Sequence, residues 1–263
     1  MPIYQDQLGR QVEIQNKPER IISVVPSQTE LLFYLGLSKK IVGITQFCCH
    51  PETETKACLK VGGTKNLNVD LIKSLKPDLI IANKEENERS QIEQLIEICP
   101  VWISDIYNLS EARDMIERVG ELVGKKEAAK ILSQQIGEQF NKLTLQPSLQ
   151  KAAYFIWRKP YMAAGKNTFI DEMLQKCGLI NVFDLERYPV ITTEMLIAAH
   201  PDVILLSSEP YPFAEKHIRE FKVLVPDAIV KLVDGELFSW YGSRLLYAPE
   251  YFKTLMDGIK GIR

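Results

Sequence analysis

The sequence predicts an α/β fold in which two Rossmann-like parallel-sheet lobes are joined by a long backbone helix. Three observations lead to it. Short apolar runs alternate with helical periodicity through both halves of the chain, the pattern of parallel sheets wrapped by helices. A long amphipathic stretch, Ser110 to Leu143, separates the halves. A short helix broken by Pro-Asp and followed by an apolar strand occurs once in each half, at Pro77-Asp78 and at Pro201-Asp202. The expected organisation is an N-terminal lobe over 1–108, a linking helix over 109–146 and a C-terminal lobe over 147–263.

Each element has a local reason. Residues 3–14 alternate around Gly9 and predict a β-hairpin. Ile21 to Val25 is a short apolar run of the kind a buried parallel strand shows, and Pro26-Ser27-Gln28-Thr29-Glu30 turns it into a helix that ends at Gly36. Ile41 to Ile44 is a second strand. Asn68 caps a helix over Val69 to Leu75, Leu79 to Ala82 is a third strand, Ser90 to Ile98 a helix and Val101 to Ile103 a fourth strand. In the central stretch Ser110 is the expected N-cap. Apolar residues recur at helical spacing from Met115 to Val123 and from Ala128 to Leu143, Ile131 among them. Gly124 marks a kink or break, and Pro147 closes the segment. At 1.5 Å per residue the part after Gly124 spans roughly 28 Å.

The pattern then restarts. Strands are expected at Ala152–Trp157, Val203–Leu206 and Ile229–Val233. Helices are expected at Phe169–Lys176, at Glu194–Ala199 with Thr193 as cap, at Ile218–Val223 and from Pro249 onward. With no flexible Gly/Ser linker between the halves, motion is expected to be a small hinge.

Bulk properties exclude several classes. A net charge of -2 and a pI near 6.0 give no reason to expect nucleic acid or an anionic membrane as partner. No apolar run approaches the ~20 residues needed to span a bilayer, and Met1 to Arg10 lacks the pattern of a signal peptide. Five cysteines at irregular spacing form no disulfide framework and read as reduced thiols. The expected location is therefore cytoplasmic, or periplasmic or surface-anchored if a leader has been removed. GxGxxG, GxSxG, HExxH and EF-hand patterns are absent, which leaves no positive case for an enzyme.

In open α/β sheets ligands bind beyond the carboxyl ends of the strands. Four loops qualify: Pro26–Glu30, Phe47–Pro51, Arg158–Gly165 and Ser239–Arg244. The candidate ligand-binding residues are Pro26, Ser27, Gln28, Phe47, Trp157, Arg158, Tyr161, Tyr188, Trp240, Tyr241 and Arg244. Flat rings with a few cations suit a bulky, partly planar, partly anionic ligand, with Arg158 or Arg244 answering carboxylate or phosphate. Trp157, at a strand end, reads equally as core or as site. Cys48-Cys49-His50 offers soft ligands for a metal, although neighbours on an extended segment point opposite ways. His200 and His217 read as surface residues.

Arg20-Ile21-Ile22-Ser23, the Pro26–Glu30 run, Gly43-Ile44, Leu75-Lys76-Pro77-Asp78-Leu79-Ile80, Gly165-Lys166 and the Asp6–Arg10 start resemble the substrate-binding proteins of ABC importers for iron chelates and cobalamin, the helical-backbone metal receptors. That resemblance implies a periplasmic-binding-protein-like fold holding its ligand in the cleft between the lobes. It also implies a metal chelate as cargo (a corrinoid or cobalamin, an iron-siderophore or a haem-like molecule), no tightly bound cofactor and a monomer. By similarity to the cobalamin-binding branch, Phe47 and Tyr188 take aromatic positions and Trp240-Tyr241 the last ligand loop; Thr64 and Asn83 stand where that branch has tryptophans. Docking to a permease through one acidic residue per lobe maps to Asp70 and Glu194. The alternatives are a cytoplasmic salvage enzyme for a corrinoid or metal cofactor, and a metal-sensing module, on the same fold.

Overall fold

The computed structural model describes residues 2–143, 145 and 149–261, so the expected stop at Pro147 lies outside the described residues. The chain forms two compact units that interleave in sequence. Unit 1 comprises 1–106, 110–137 and 241–244; unit 2 comprises 107–109, 138–240 and 245–263.

Unit 1 begins with the antiparallel hairpin β1 (Ile3–Gln5) and β2 (Gln11–Glu13), turned at Gly9. It continues through β3 (Ile21–Ser23), α1 (Pro26–Tyr34), β4 (Ile41–Ile44) and α2 (Glu52–Ala57), then the small hairpin β5 (Gly62–Gly63) and β6 (Asn66–Leu67). Next come α3 (Val69–Ser74), β7 (Leu79–Asn83), α4 (Arg89–Ile96) and β8 (Val101–Ser104). The four main strands form a parallel sheet in the order β4-β3-β7-β8. Its core is aliphatic, built on Ile22, Val24, Ile72, Ile80, Leu95 and Val101. β7 is buried along its whole length, as a central parallel strand must be.

The central stretch is two helices, α5 (Leu109–Leu122) and α6 (Lys126–Lys142). Gly124, at φ +73°, makes the turn that separates them. They fold back on each other: the Arg113 guanidinium donates to the Ser133 carbonyl at 2.9 Å, and the Ser133 hydroxyl donates to Glu117 at 2.6 Å. Near the turn a Cβ on Gly120 would stand 2.1 Å from the Ala129 methyl, so only glycine permits this approach. The continuous helix is thus α6, whose 17 residues rise about 25 Å. Two sequence expectations are corrected. Ser110 lies inside the first turn of α5 and is not its cap. Ile131 is 56% exposed, while Ala129, Leu132 and Ile136 carry the buried stripe.

Unit 2 contains β9 (Lys151–Trp157), β10 (Met162–Ala163), α7 (Phe169–Lys176), β11 (Ile180–Asn181), α8 (Thr193–Ala199), β12 (Val203–Ser207), α9 (Glu215–Leu224), β13 (Ile229–Val233), α10 (Gly235–Ser239), a 3-10 turn (Ser243–Leu246, shared with unit 1) and α11 (Ala248–Lys260). The parallel strands run β11-β9-β12-β13, and β10 joins the same edge of β9 antiparallel. Counting from the first strand, both sheets have the order 2-1-3-4. The cap of α8 is Thr192, whose hydroxyl accepts from the Met195 N–H, where the sequence pointed to Thr193. Gly235 opens α10.

The repeated Pro-Asp signature has the same physical basis in both units. The residue before each proline, Lys76 or His200, ends its helix in the left-handed region, at φ 47° and 45°. Each aspartate then receives backbone N–H groups at the start of the neighbouring strand. Asp78 accepts from Glu19 and Arg20 at 2.8 and 2.9 Å, and Asp202 from Lys151 at 2.8 Å. The carboxylate satisfies donors that the strand start would leave without partners.

Candidate functional site

In unit 1 the carboxyl ends of the parallel strands carry α1, the Phe47–Pro51 loop and the Asn83–Asn87 loop. Pro26, Ser27 and Gln28 form the first turn of α1 and are buried. Part of their cover is the segment Tyr241–Arg244: a Cβ on Gly242 would lie 2.9 Å from the Ser27 carbonyl oxygen. The Arg244 guanidinium grips both oxygens of Glu30 at 3.0 and 2.8 Å, a fork-to-fork pair. Tyr241, also buried, donates its hydroxyl to Glu86 at 3.2 Å. Phe47, by contrast, is 54% exposed. Its ring lies along the β5–β6 hairpin, where Gly63 leaves room for it.

The loop after β7 is held rigid by its two asparagines. The Asn83 side-chain oxygen accepts from the N–H groups of Glu85 and Glu86 at 2.9 and 3.0 Å. The Asn87 amide donates to the carbonyls of Val24 and Thr64 at 3.0 and 3.1 Å, tying the end of β7 to β3 and to the hairpin. Sequence reading missed this clamp, although an asparagine at each end of a polar loop is a readable signal for it.

Cys48 stands apart from Cys49 and His50, whose ligand atoms lie within 4.8 Å of one another. Cys48 is buried, with its sulfur 3.1 Å from the Thr29 hydroxyl and 3.2 Å from that of Thr45, and burial pushes its thiol pKa up. Cys49 is exposed and His50 half-buried.

In unit 2 the site residues gather at the end of β9. Trp157 is 40% exposed and meets Tyr211 edge-on, at 5.8 Å between ring centres, which settles its position outside the core. Arg158 forks onto Glu220 of α9 at 2.9–3.1 Å, and the Tyr161 hydroxyl donates to the same carboxylate. Burial would raise the Glu220 carboxyl, but the bonds from Arg158 and Tyr161 outweigh it and hold it below its usual range. The Tyr161 phenol is raised to about 12 by its own burial and by that carboxylate. Tyr188 is half-buried beside Arg187, which stacks over Tyr107 at 4.8 Å. His217, read from sequence as a surface residue, is buried. Its Nδ1 accepts the Ala214 N–H at 2.8 Å and closes the start of α9.

The loop after β12 was absent from the sequence-derived set and supplies Glu209. One carboxylate oxygen accepts from the Ser239 hydroxyl at 2.7 Å and the Trp240 indole N–H at 2.8 Å. Burial raises this carboxyl, and the Ser239 bond opposes the shift. Trp240, expected to present its ring to a ligand, is 5% exposed. The signal for Glu209 was its place directly after a predicted strand. Asp70 and Glu194 lie in the first turns of α3 and α8, both exposed. The Glu194 carboxyl is held below its usual range by its own backbone N–H and by the Thr192 hydroxyl.

Each unit therefore offers aromatic rings and oriented polar groups at the carboxyl edge of an open parallel sheet. That is the arrangement of a protein that binds a small molecule. The chain belongs to the periplasmic binding protein family, whose sequence profile matches residues 21–229. It is 32% identical over 213 residues to an uncharacterized ABC transporter substrate-binding lipoprotein of Bacillus subtilis (strain 168), covering 76% of this chain and 67% of that one. It is 28% identical over 195 residues to a vitamin B12-binding protein of Yersinia pestis, covering 72% and 69%. A possible iron-binding (periplasmic solute-binding) protein of Staphylococcus epidermidis shares the fold at a TM-score of 0.75 and 26% identity, over 93% of this chain and 99% of that one.

Family and relatives are binding components of transport systems and not enzymes. This corrects the expected cytoplasmic location, because a periplasmic family with a lipoprotein relative points outside the cytoplasm. The cytoplasmic alternative is not supported by the family or the relatives. No helix among the described residues is long and apolar enough to cross a membrane.

Proposed function

We propose that the protein is the substrate-binding component of an ABC importer and carries a metal chelate of the corrinoid, iron-siderophore or haem class. The observation that supports this best is the exposed ring that each unit carries beyond a strand, Phe47 after β4 in unit 1 and Trp157 at the end of β9 in unit 2. Flat aromatic faces cover the apolar surface of a macrocycle or chelate, while the polar groups held around them fix its orientation. The names of the relatives, vitamin B12-binding and possible iron-binding, lie in the same ligand range. Capture needs no chemistry; the ligand keeps its metal and leaves unchanged. Asp70 and Glu194 are the proposed contacts to the permease, each an exposed carboxylate on a first helical turn where it is well placed to meet a cation.

Absorbance and calorimetric titration with cobalamin, cobinamide, haem and a ferric siderophore test the reading. At least one class binds with Kd below about 100 μM; failure of all four rejects it.

A further inference from the structure

We infer that Tyr211 positions the Trp157 ring for the ligand, and that His217 fixes Tyr211 only while its imidazole is neutral, so that acid releases the ring and loosens capture at this edge. The ligand half of this rests on the reading above of Trp157 as a ring that covers the ligand.

All three residues belong to unit 2. Trp157 ends β9, and Tyr211 stands beside it in the loop after β12. The Tyr211 N–H donates to the Ile156 carbonyl at 3.3 Å, and its ring meets the indole edge-on. Behind Tyr211 lies His217, buried on the first turn of α9. The imidazole centre is 5.5 Å from that of the Tyr211 ring, and Phe213 packs edge-on against both.

The hydrogen bonds decide which protonation state fits this seat. Ala214 has no side chain that could cap α9, and the His217 Nδ1 accepts the Ala214 N–H at 2.8 Å. A neutral imidazole has one acceptor and one donor. With Nδ1 accepting, the proton sits on Nε2, 3.3 Å from the Tyr211 oxygen, and is donated to it. The charged ring has two N–H groups and no acceptor. A proton on Nδ1 faces the Ala214 N–H head-on and places positive charge at a helix N-terminus, where the helix dipole opposes it. The charged ring therefore turns out of its seat, and the bond to Tyr211 goes with it.

The charges that bear on the imidazole are Lys216 and Glu220 of α9 and Arg158 after β9; the two cations oppose a proton on the ring and Glu220 favours it. Glu209, in the same loop as Tyr211, faces Ser239 and Trp240 instead. Burial, with Lys216 and Arg158, holds the imidazole below its usual range. The neutral seat is thus complete above about pH 6.5 and is lost as pH falls through the lower folded value.

The first test needs no ligand. Of the three tryptophans Trp102 and Trp240 are buried, so acrylamide quenching of tryptophan fluorescence reports on Trp157. On the full chain the quenching constant is expected to rise at least about 1.5-fold between about pH 7.5 and 5.0, with circular dichroism showing the fold intact. His217→Asn keeps an acceptor for the Ala214 N–H but does not titrate, and its quenching is expected to stay flat. Tyr211→Phe, which keeps the ring and removes the hydroxyl, is expected to lose at least about half of the rise and decides the matter if His217→Asn does not fold. The second test is calorimetry with cobalamin, haem and a ferric siderophore. Any that binds is expected to weaken at least about threefold more over the same pH interval in wild type than in the variant that keeps its quenching flat. Quenching that does not change with pH in the folded wild type, or changes equally in both variants, overturns the inference. A pH-dependent ring with affinities that change equally in wild type and variant overturns its ligand half and leaves the metal-chelate reading in place. Binding of none of the three probes or of cobinamide removes that reading and the ligand half with it, while the hold of His217 and Tyr211 on Trp157 is decided by the quenching.

Discussion

Replacing Phe47 by alanine separates a ligand-binding ring from an incidental surface ring. A buried aromatic side chain covers 150–250 Å², and Phe47 is 54% exposed, so about 110 Å² remains for a ligand to cover. At ~25 cal/mol/Å² complete cover is worth ~2.7 kcal/mol, about a hundredfold in Kd, and half cover about tenfold. Phe47→Ala is therefore expected to weaken the tightest ligand of the panel between about tenfold and a hundredfold. The assay is isothermal calorimetry, with a thermal melt on the same sample to show that the variant is folded. Val223→Ala is the control. Val223 is 80% exposed but lies on the last turn of α9, which leads into the start of β13, so its affinity stays at the wild-type value. A folded Phe47→Ala protein with Kd within about twofold of wild type refutes the assignment and the area argument behind it.

Other expectations follow from single contacts. Asn68→Ala and Thr192→Ala each remove a helix cap and lower stability by about 1 kcal/mol, a Tm drop of about 2–4 °C. Ser110→Ala, inside the first turn of α5, lowers Tm not at all, and a drop equal to the other two would restore Ser110 as a cap. Because the folded Glu220 carboxyl titrates below its unfolded value, its contribution is complete above about pH 4.3 and is lost as pH falls through the lower folded value. Glu220→Gln should flatten the acid limb of a stability–pH curve from urea unfolding, and an unchanged limb would show that the Arg158 pair contributes nothing. Asp70→Lys and Glu194→Lys, both at exposed positions, should keep the fold within about 0.5 kcal/mol while reducing stimulation of the importer's ATPase. Stimulation equal to wild type by both variants would exclude these carboxylates from docking.

The elements were readable where short-range rules govern them. Asn68, Gly9, Gly36 and the Pro-Asp breaks act through their immediate neighbours, and the structure places each where its chemistry demands. The sequence could not show that α5 and α6 fold back on each other, because apolar stripes of two antiparallel helices and of one long helix have the same period. The site was legible as loops and not as surfaces. Phe47 and Trp240 are both aromatic and both in strand-end loops, yet one is 54% exposed and the other 5%. The indole of Trp240 is held by Glu209, a hydrogen-bond acceptor 31 positions away in the chain, which no local pattern announces. Arg158 and Arg244 were identified by charge, but their partners lie 62 and 214 residues distant, beyond the reach of any local pattern.

The split membership of the last turns has a consequence for how the protein is made. Unit 1 is not finished by its own first hundred residues; it needs Tyr241–Arg244. Glu30 emerges from the ribosome 214 positions ahead of Arg244, an interval of ~10–40 s at ordinary rates of synthesis. Throughout that time the start of α1 lacks part of its cover and Glu30 lacks its guanidinium. A chain cut before Tyr241 stays in that condition, so its first unit should be the part that proteases find first.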